Sequence, residues 1–150
     1  MAVSTSGKVK FELVSPEKIL VSEEVDMVVV PGTEGYFGVL PGHAPLISSI
    51  RPGTIDVYDG KTIAERIFVA GGFAEVTNKR CTVLADDAIR LAAIDRHAVE
   101  AELAEAKARI SALQGVDAAA EKAQLRAAER AQAVAQAKLD AISRGKAADH

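Results

Sequence analysis

Apolar and polar positions alternate in short runs along the first three-fifths of the chain and recur at helical spacing along the rest. Over 8–14, Val9, Phe11 and Leu13 lie on one side and Lys10 and Glu12 on the other, the period of two that marks a half-buried strand. Ser15-Pro16-Glu17 turns the chain. The runs 18–22 and 25–30 are the next strands, the second rich in β-branched residues that suit a pleated surface. Further strands are expected at Leu46–Ile50, 54–58, 62–70, 73–77 and Arg80–Ala85. They are separated by Arg51-Pro52-Gly53, Asp59-Gly60, Gly71-Gly72 and Asn78-Lys79. Short strands with a turn signal about every 8–12 residues predict a β-sandwich or barrel.

The segment 30–46 interrupts this rhythm. Between Pro31 and Pro45 it carries three prolines and four glycines, a density that excludes a helix and admits only a short strand or two. Such a path is tightly constrained, and its bulky or reactive side chains are Glu34, Tyr36, Phe37 and His43. None of these form a pair spaced for metal ligation or nucleophilic attack, so the loop is expected to serve contact rather than chemistry.

Past Asp86-Asp87 the pattern changes. From Ala92 onward there is no Pro, Phe or Tyr, and Ala dominates, which favours helix throughout. Asp95 is the expected N-cap of a first helix. Val99, Leu103, Ala106, Ile110 and Leu113 then draw a seam at alternating spacings of four and three. Gly115 and Asp117 read as a C′ glycine and an N-cap around a tight reversal. Leu125, Ala128, Gln132, Ala135, Leu139 and Ile142 repeat the seam, predicting two antiparallel helices whose end frays over 143–150. The seam holds few large side chains, so the hairpin is expected to depend on a neighbour, either its own β-domain or another protein. Two domains follow, 1–90 as β-sandwich and 91–150 as helical hairpin.

Composition narrows the function by exclusion. With 49% hydrophobic and 26% charged residues in 150, and a net charge of -3, the chain reads as globular rather than disordered, and as no basic nucleic-acid binder. No apolar run reaches the length of a membrane span, and 1–7 lacks the apolar core of a secretory signal, so a cytosolic location is expected. Cys81 is a lone thiol in an apolar strand, expected to be buried and inert. The three histidines, His43, His97 and His150, are scattered and offer neither a metal site nor a catalytic base. The glycines match neither phosphate-binding fingerprint. Residues 114–150 alone carry a basic excess, six against five. Within it Arg126 and Arg130 stand one helical turn apart, where they can meet an acidic partner.

Taken together, several motifs resemble the ε subunit of F-type ATP synthases, the counterpart of the mitochondrial δ subunit. They are Pro31-Gly32-Thr33-Glu34-Gly35, the run Gly38-Val39-Leu40-Pro41-Gly42-His43-Ala44-Pro45-Leu46, Arg51-Pro52-Gly53, Gly71-Gly72-Phe73-Ala74-Glu75-Val76 and Val83-Leu84-Ala85-Asp86. The resemblance covers the β-region continuously and reaches into the Ala-rich tail. It implies a ten-stranded N-terminal β-sandwich followed by a two-helix hairpin, in a non-catalytic rotor subunit that couples the membrane-embedded c-ring to the γ subunit. It implies a c-ring or γ contact through Glu34, Gly35, Tyr36, Phe37 and His43, and a peripheral place on the cytoplasmic face of the inner membrane. It further implies an inhibitory contact of Arg126 and Arg130 with the β subunit. Some relatives bind ATP through an Ile/Leu-Asp-x-x-Arg-Ala pattern at the junction of the two domains. Ile94 and Asp95 keep its first two residues, but Ala98 stands where the arginine belongs, and no guanidinium fork remains there for a nucleotide. No cofactor is expected.

Overall fold

A computed structural model describes residues 7–148. The chain divides into two compact units, Met1–Ala92 and Ala93–His150.

The first unit is built from β1 (Val9–Val14), β2 (Ile19–Val25), β3 (Met27–Gly32), β4 (Gly35–Val39), β5 (Leu46–Ile50), β6 (Gly53–Asp59), β7 (Thr62–Val69), β8 (Gly72–Val76), β9 (Arg80–Ala85) and β10 (Ala88–Arg90). They hydrogen-bond in the order β10-β7-β6-β3-β5-β8-β9-β1-β2, with β4 added to β3. The link between β3 and β5 is the single pairing Gly32 with Ile50, so the sheet folds there into two layers. This is the expected sandwich. All pairings are antiparallel except that of β1 with β9.

Alternation places the core. Val9, Phe11 and Leu13 of β1 turn inward to meet Cys81, Val83 and Ala85 of β9, Ile55 and Val57 of β6, and Val28 and Val30 of β3. Lys10 and Glu12 take the other face. A side chain at Gly72 would force the backbone to shift, because its Cβ would lie 2.0 Å from the Leu84 carbonyl oxygen, and its φ of 141° is one that residues other than glycine rarely adopt.

Two details differ from the sequence reading. The second strand runs on to Val25, and the break falls at Asp26, whose carboxylate accepts from the Gly60 N–H and pairs with Lys8 at 3.2 Å. These bonds hold its carboxyl below the usual carboxylate range, the Gly60 amide contributing most. The short β10 was not foreseen at all; it pairs Ala88, Ile89 and Arg90 with Val69, Phe68 and Ile67.

The second unit is an antiparallel pair, α1 (Arg96–Ala112) and α2 (Ala119–Ala148). Asp95 is the N-cap of α1 and accepts from the His97 N–H at 3.0 Å. The start of α2 corrects the expectation at Asp117. The first helical carbonyl is that of Ala118, which accepts from the Lys122 N–H at 2.9 Å, so the cap position lies one residue later. Gly115 takes a left-handed φ of 76° in the connection, but the C-cap is Leu113, so it stands one residue beyond the expected C′ position. The helix also continues through Ala148, where Ser143 was expected to begin fraying, because alanine-rich sequence sustains it past Gly145. Of the anticipated seam, Val99, Ala106, Ala128 and Ala135 are buried, while Leu103, Ile110, Leu113, Leu125, Gln132, Leu139 and Ile142 are half-buried.

Candidate docking surface

The proline and glycine spacing within 30–46 makes a hairpin followed by a loop. Val28 to Gly32 of β3 pair with Val39 to Gly35 of β4, leaving Thr33 and Glu34 as a two-residue turn. Glu34 and Gly35 are exposed at its tip. Phe37, opposite Val30, is half-buried and packs against the core, so it anchors the hairpin. Tyr36, opposite Pro31, faces out and is 41% exposed. Two backbone bonds tie the hairpin to the neighbouring strand end: the Thr33 N–H donates to Ser49 at 3.0 Å, and the Arg51 N–H donates to Pro31 at 3.0 Å. Through these, the Arg51 guanidinium carbon comes to 4.7 Å from the Tyr36 ring centre.

The loop after β4 is pinned by its backbone. The Gly42 N–H donates to Asn78 at 2.8 Å and the His43 N–H to Leu40 at 3.1 Å. His43 is half-buried, and its Nδ1 lies 2.6 Å from the Ala44 carbonyl oxygen, a contact that requires the proton on Nδ1. This ring holds the turn together.

The outer face of the sheet adds a feature that sequence reasoning missed. Register sets Ser49 of β5, Phe73 of β8, Leu84 of β9, Val14 of β1 and Ile19 of β2 side by side in one row. Phe73, Leu84 and Ile19 are 57%, 55% and 65% exposed, and Ile47, two residues along β5 from Ser49, is 73% exposed. A contiguous apolar row across the four strands β8, β9, β1 and β2 is unlike scattered surface residues and is a candidate interaction face. The signal for it lay in β8 and β9, where Phe73 and Leu84 occupy the phase that alternation assigns to polar residues.

The remaining sequence candidates are on the helical unit. Arg126 and Arg130 are exposed on α2, and Arg130 joins Arg109, Glu102 and Glu105 around a groove of about 500 Å³ with an alanine floor. Arg109 is paired with Glu105 at 3.3 Å. Ile94 is half-buried before α1, and Asp95 is engaged by its capping bond. Among the described residues no cluster of three or more His, Cys, Asp or Glu can hold a metal ion, and no helix is long and apolar enough to cross a membrane.

The model of the ATP synthase delta/epsilon chain β-sandwich domain matches residues 8–91. An ATP synthase epsilon chain of Rhodospirillum rubrum is 55% identical over 132 residues, covering 88% of this chain and 94% of that one. The chain belongs to the delta/epsilon-chain family of ATP synthases. An epsilon chain of Rhodospirillum centenum is 51% identical over 143 residues, covering 92% of this chain and 94% of that family member. Among solved structures, a chain of the Euglena gracilis mitochondrial ATP synthase, in an assembly described as OSCP/F1/c-ring, aligns with a TM-score of 0.73 at 23% identity. It covers 96% of this chain and 82% of that one. A chain of the Tetrahymena thermophila mitochondrial ATP synthase central stalk and c-ring aligns with a TM-score of 0.59 at 16% identity, covering 90% and 96%. The structural likenesses establish the family fold across both units.

Proposed function

We propose that the chain is a non-catalytic central-stalk subunit of a proton-translocating F-type ATP synthase. Its β-domain docks on the γ subunit and on the c-ring and couples one to the other at the cytoplasmic face of the membrane. The observation that carries this reading is the apolar row of Phe73, Leu84 and Ile19 on the solvent side of the sandwich. A face of this kind needs a protein partner, and family membership supplies the assembly in which to seek it. Phe73→Asp and Leu84→Asp change residues that are more than half exposed, so the domain should keep its melting temperature within a few degrees. The same variants should be lost from the purified complex on size exclusion. Retention at the wild-type level would overturn the reading.

A second reading concerns the hairpin. Small side chains fill its buried positions, Ala106, Ala128, Ala135 and Ala141 beside Val99. Alanine gains little from burial, so the pair is a weakly held element suited to rearrangement. With Arg126 and Arg130 exposed on α2, such an element can restrain ATP hydrolysis by meeting an acidic segment of the β subunit. Truncation after Ala93 should then raise ATPase activity of the complex, and an unchanged rate would count against it. Nucleotide sensing through Ile94 and Asp95 finds less support, since the Asp95 carboxylate caps α1.

A further inference from the structure

The β3–β4 hairpin and the loop that follows are almost free of charge. Between Met27 and Gly53 the only side chains of fixed charge are Glu34 and Arg51. The other arginines of the β-domain each meet a carboxylate: Arg66 at Asp56, Arg80 at Glu12 and Arg90 at Glu65, at 4.0, 3.4 and 3.0 Å. Among the described residues Arg51 meets none. Its guanidinium is instead laid over the ring of Tyr36.

That placement is built from several elements. The pairing of Gly32 with Ile50 and the Arg51 amide bond to Pro31 set the backbone. Tyr36 stands opposite Pro31 in the hairpin. Gly53 leaves the room: a Cβ there would come within 2.9 Å of the Pro31 Cβ and 3.6 Å of the Tyr36 hydroxyl. A ring contact of this kind leaves the N–H groups of a guanidinium able to receive a carboxylate through two parallel bonds. It also restrains a flexible side chain before any partner arrives.

We propose that Arg51, seated on Tyr36, binds a carboxylate side chain on the protein surface where the β-domain docks, and so fixes the register of docking. This rests on the central-stalk reading above. The apolar row supplies area without direction, whereas a bidentate charge pair discriminates one orientation from its neighbours. A protein carboxylate is favoured over an anionic lipid surface. Lipid recognition uses clusters of basic groups, and here a single arginine, after β5, stands beside a hairpin whose tip carries the exposed Glu34.

The test uses the complete ATP synthase assembled with wild-type or variant chain, followed by the lifetime of the bound chain after dilution. Arg51→Gln should shorten that lifetime about tenfold or more. Arg51→Lys, which keeps the charge but loses the fork, and Tyr36→Leu, which removes the platform, should each shorten it by a smaller factor. The wild-type lifetime should fall with added salt more steeply than that of Arg51→Gln. If Arg51→Gln fails to fold by thermal melting, Arg51→Lys carries the test. Wild-type lifetimes in the arginine variants, with Leu84→Asp still dissociating, would overturn this inference and leave the central-stalk reading standing. Wild-type lifetimes in all of them would remove both. Arg51-dependent binding of the isolated chain to phosphatidylglycerol vesicles would overturn the choice of a protein partner.

Discussion

Glu23 stands opposite Phe11 in the β1–β2 ladder, on the face of the sheet that carries the core. Phe11 is fully buried, while Glu23 stays exposed on β2, which ends the sheet order. Glu65 and Arg90 also follow inward phases, opposite Val57 and Ile67, and bond to each other at 3.0 Å. Inward charges at the ends of a sheet oppose edge-to-edge pairing with a second molecule. Partial desolvation, followed by the charge and hydrogen bond of Glu65, pushes the Glu23 carboxyl up, with Arg90 pulling it back. A carboxyl whose folded pKa is raised contributes stability that is fully present below the unfolded value, and loses it as pH rises through the folded value. Glu23→Gln should therefore match wild type near pH 4 and melt higher by about 1–2 °C at pH 7.5, a small gain because solvent screens the group. Melting curves of both proteins at the two pH values check this, and a pH-independent difference would contradict it.

Gly72 of β8 stands opposite Ala85 of β9, and the absence of a side chain there lets the Leu84 carbonyl approach. Gly72→Ala adds a methyl 2.0 Å from the Leu84 carbonyl oxygen at a φ of 141°. The variant should lose about 3 kcal/mol or more, since overpacking and left-handed strain add. Gly60→Ala, at a φ of 64° with open space around it, should lose only about 1 kcal/mol. Urea unfolding of both variants gives the comparison.

Cys81 is fully buried, and burial pushes its thiol up to about 12. The thiolate is the reactive species, so Ellman's reagent should label Cys81 in the native protein only as fast as the β-domain opens. Adding urea to the unfolding midpoint should accelerate labelling by orders of magnitude. Rapid labelling in buffer would show that β9 opens far more readily than its place between β8 and β1 suggests.

How far the sequence could be read depended on whether the deciding contact was local. The strands β1 and β9 declared themselves through Val9, Phe11, Leu13 and Cys81, Val83, Ala85, because one of their faces is core and the other polar. Ala88-Ile89-Arg90 carries no such period, and β10 exists because it extends the edge beyond β7. Proline and glycine marked the β3–β4 hairpin, since turn geometry is a local demand. Phe73, Leu84 and Ile19 looked like ordinary strand residues until register set them in one exposed row. The Arg51–Tyr36 stack was equally hidden. It arises from a backbone bond between Arg51 and Pro31 that no spacing rule announces.

Ala135 tests whether the small buried side chains of the hairpin are required or merely tolerated. It is 1% exposed on α2, while Ala133, two residues earlier on the same helix, is exposed. Alanine and leucine have nearly equal helix propensity, so a change to leucine probes packing rather than backbone preference. At Ala133 the larger side chain reaches solvent, and the melting temperature should stay within about 1 °C of wild type. At Ala135 three added carbon atoms have no room. The cost should be about 1–3 kcal/mol, borne by the helical unit and read as earlier loss of helical circular dichroism. If rearrangement of this weakly held pair lets it restrain ATP hydrolysis, Ala135→Leu, which loosens the pairing, should change the ATPase rate of the assembled complex while Ala133→Leu leaves it alone. Equal effects of the two substitutions on melting would show that the buried alanines are not close-packed.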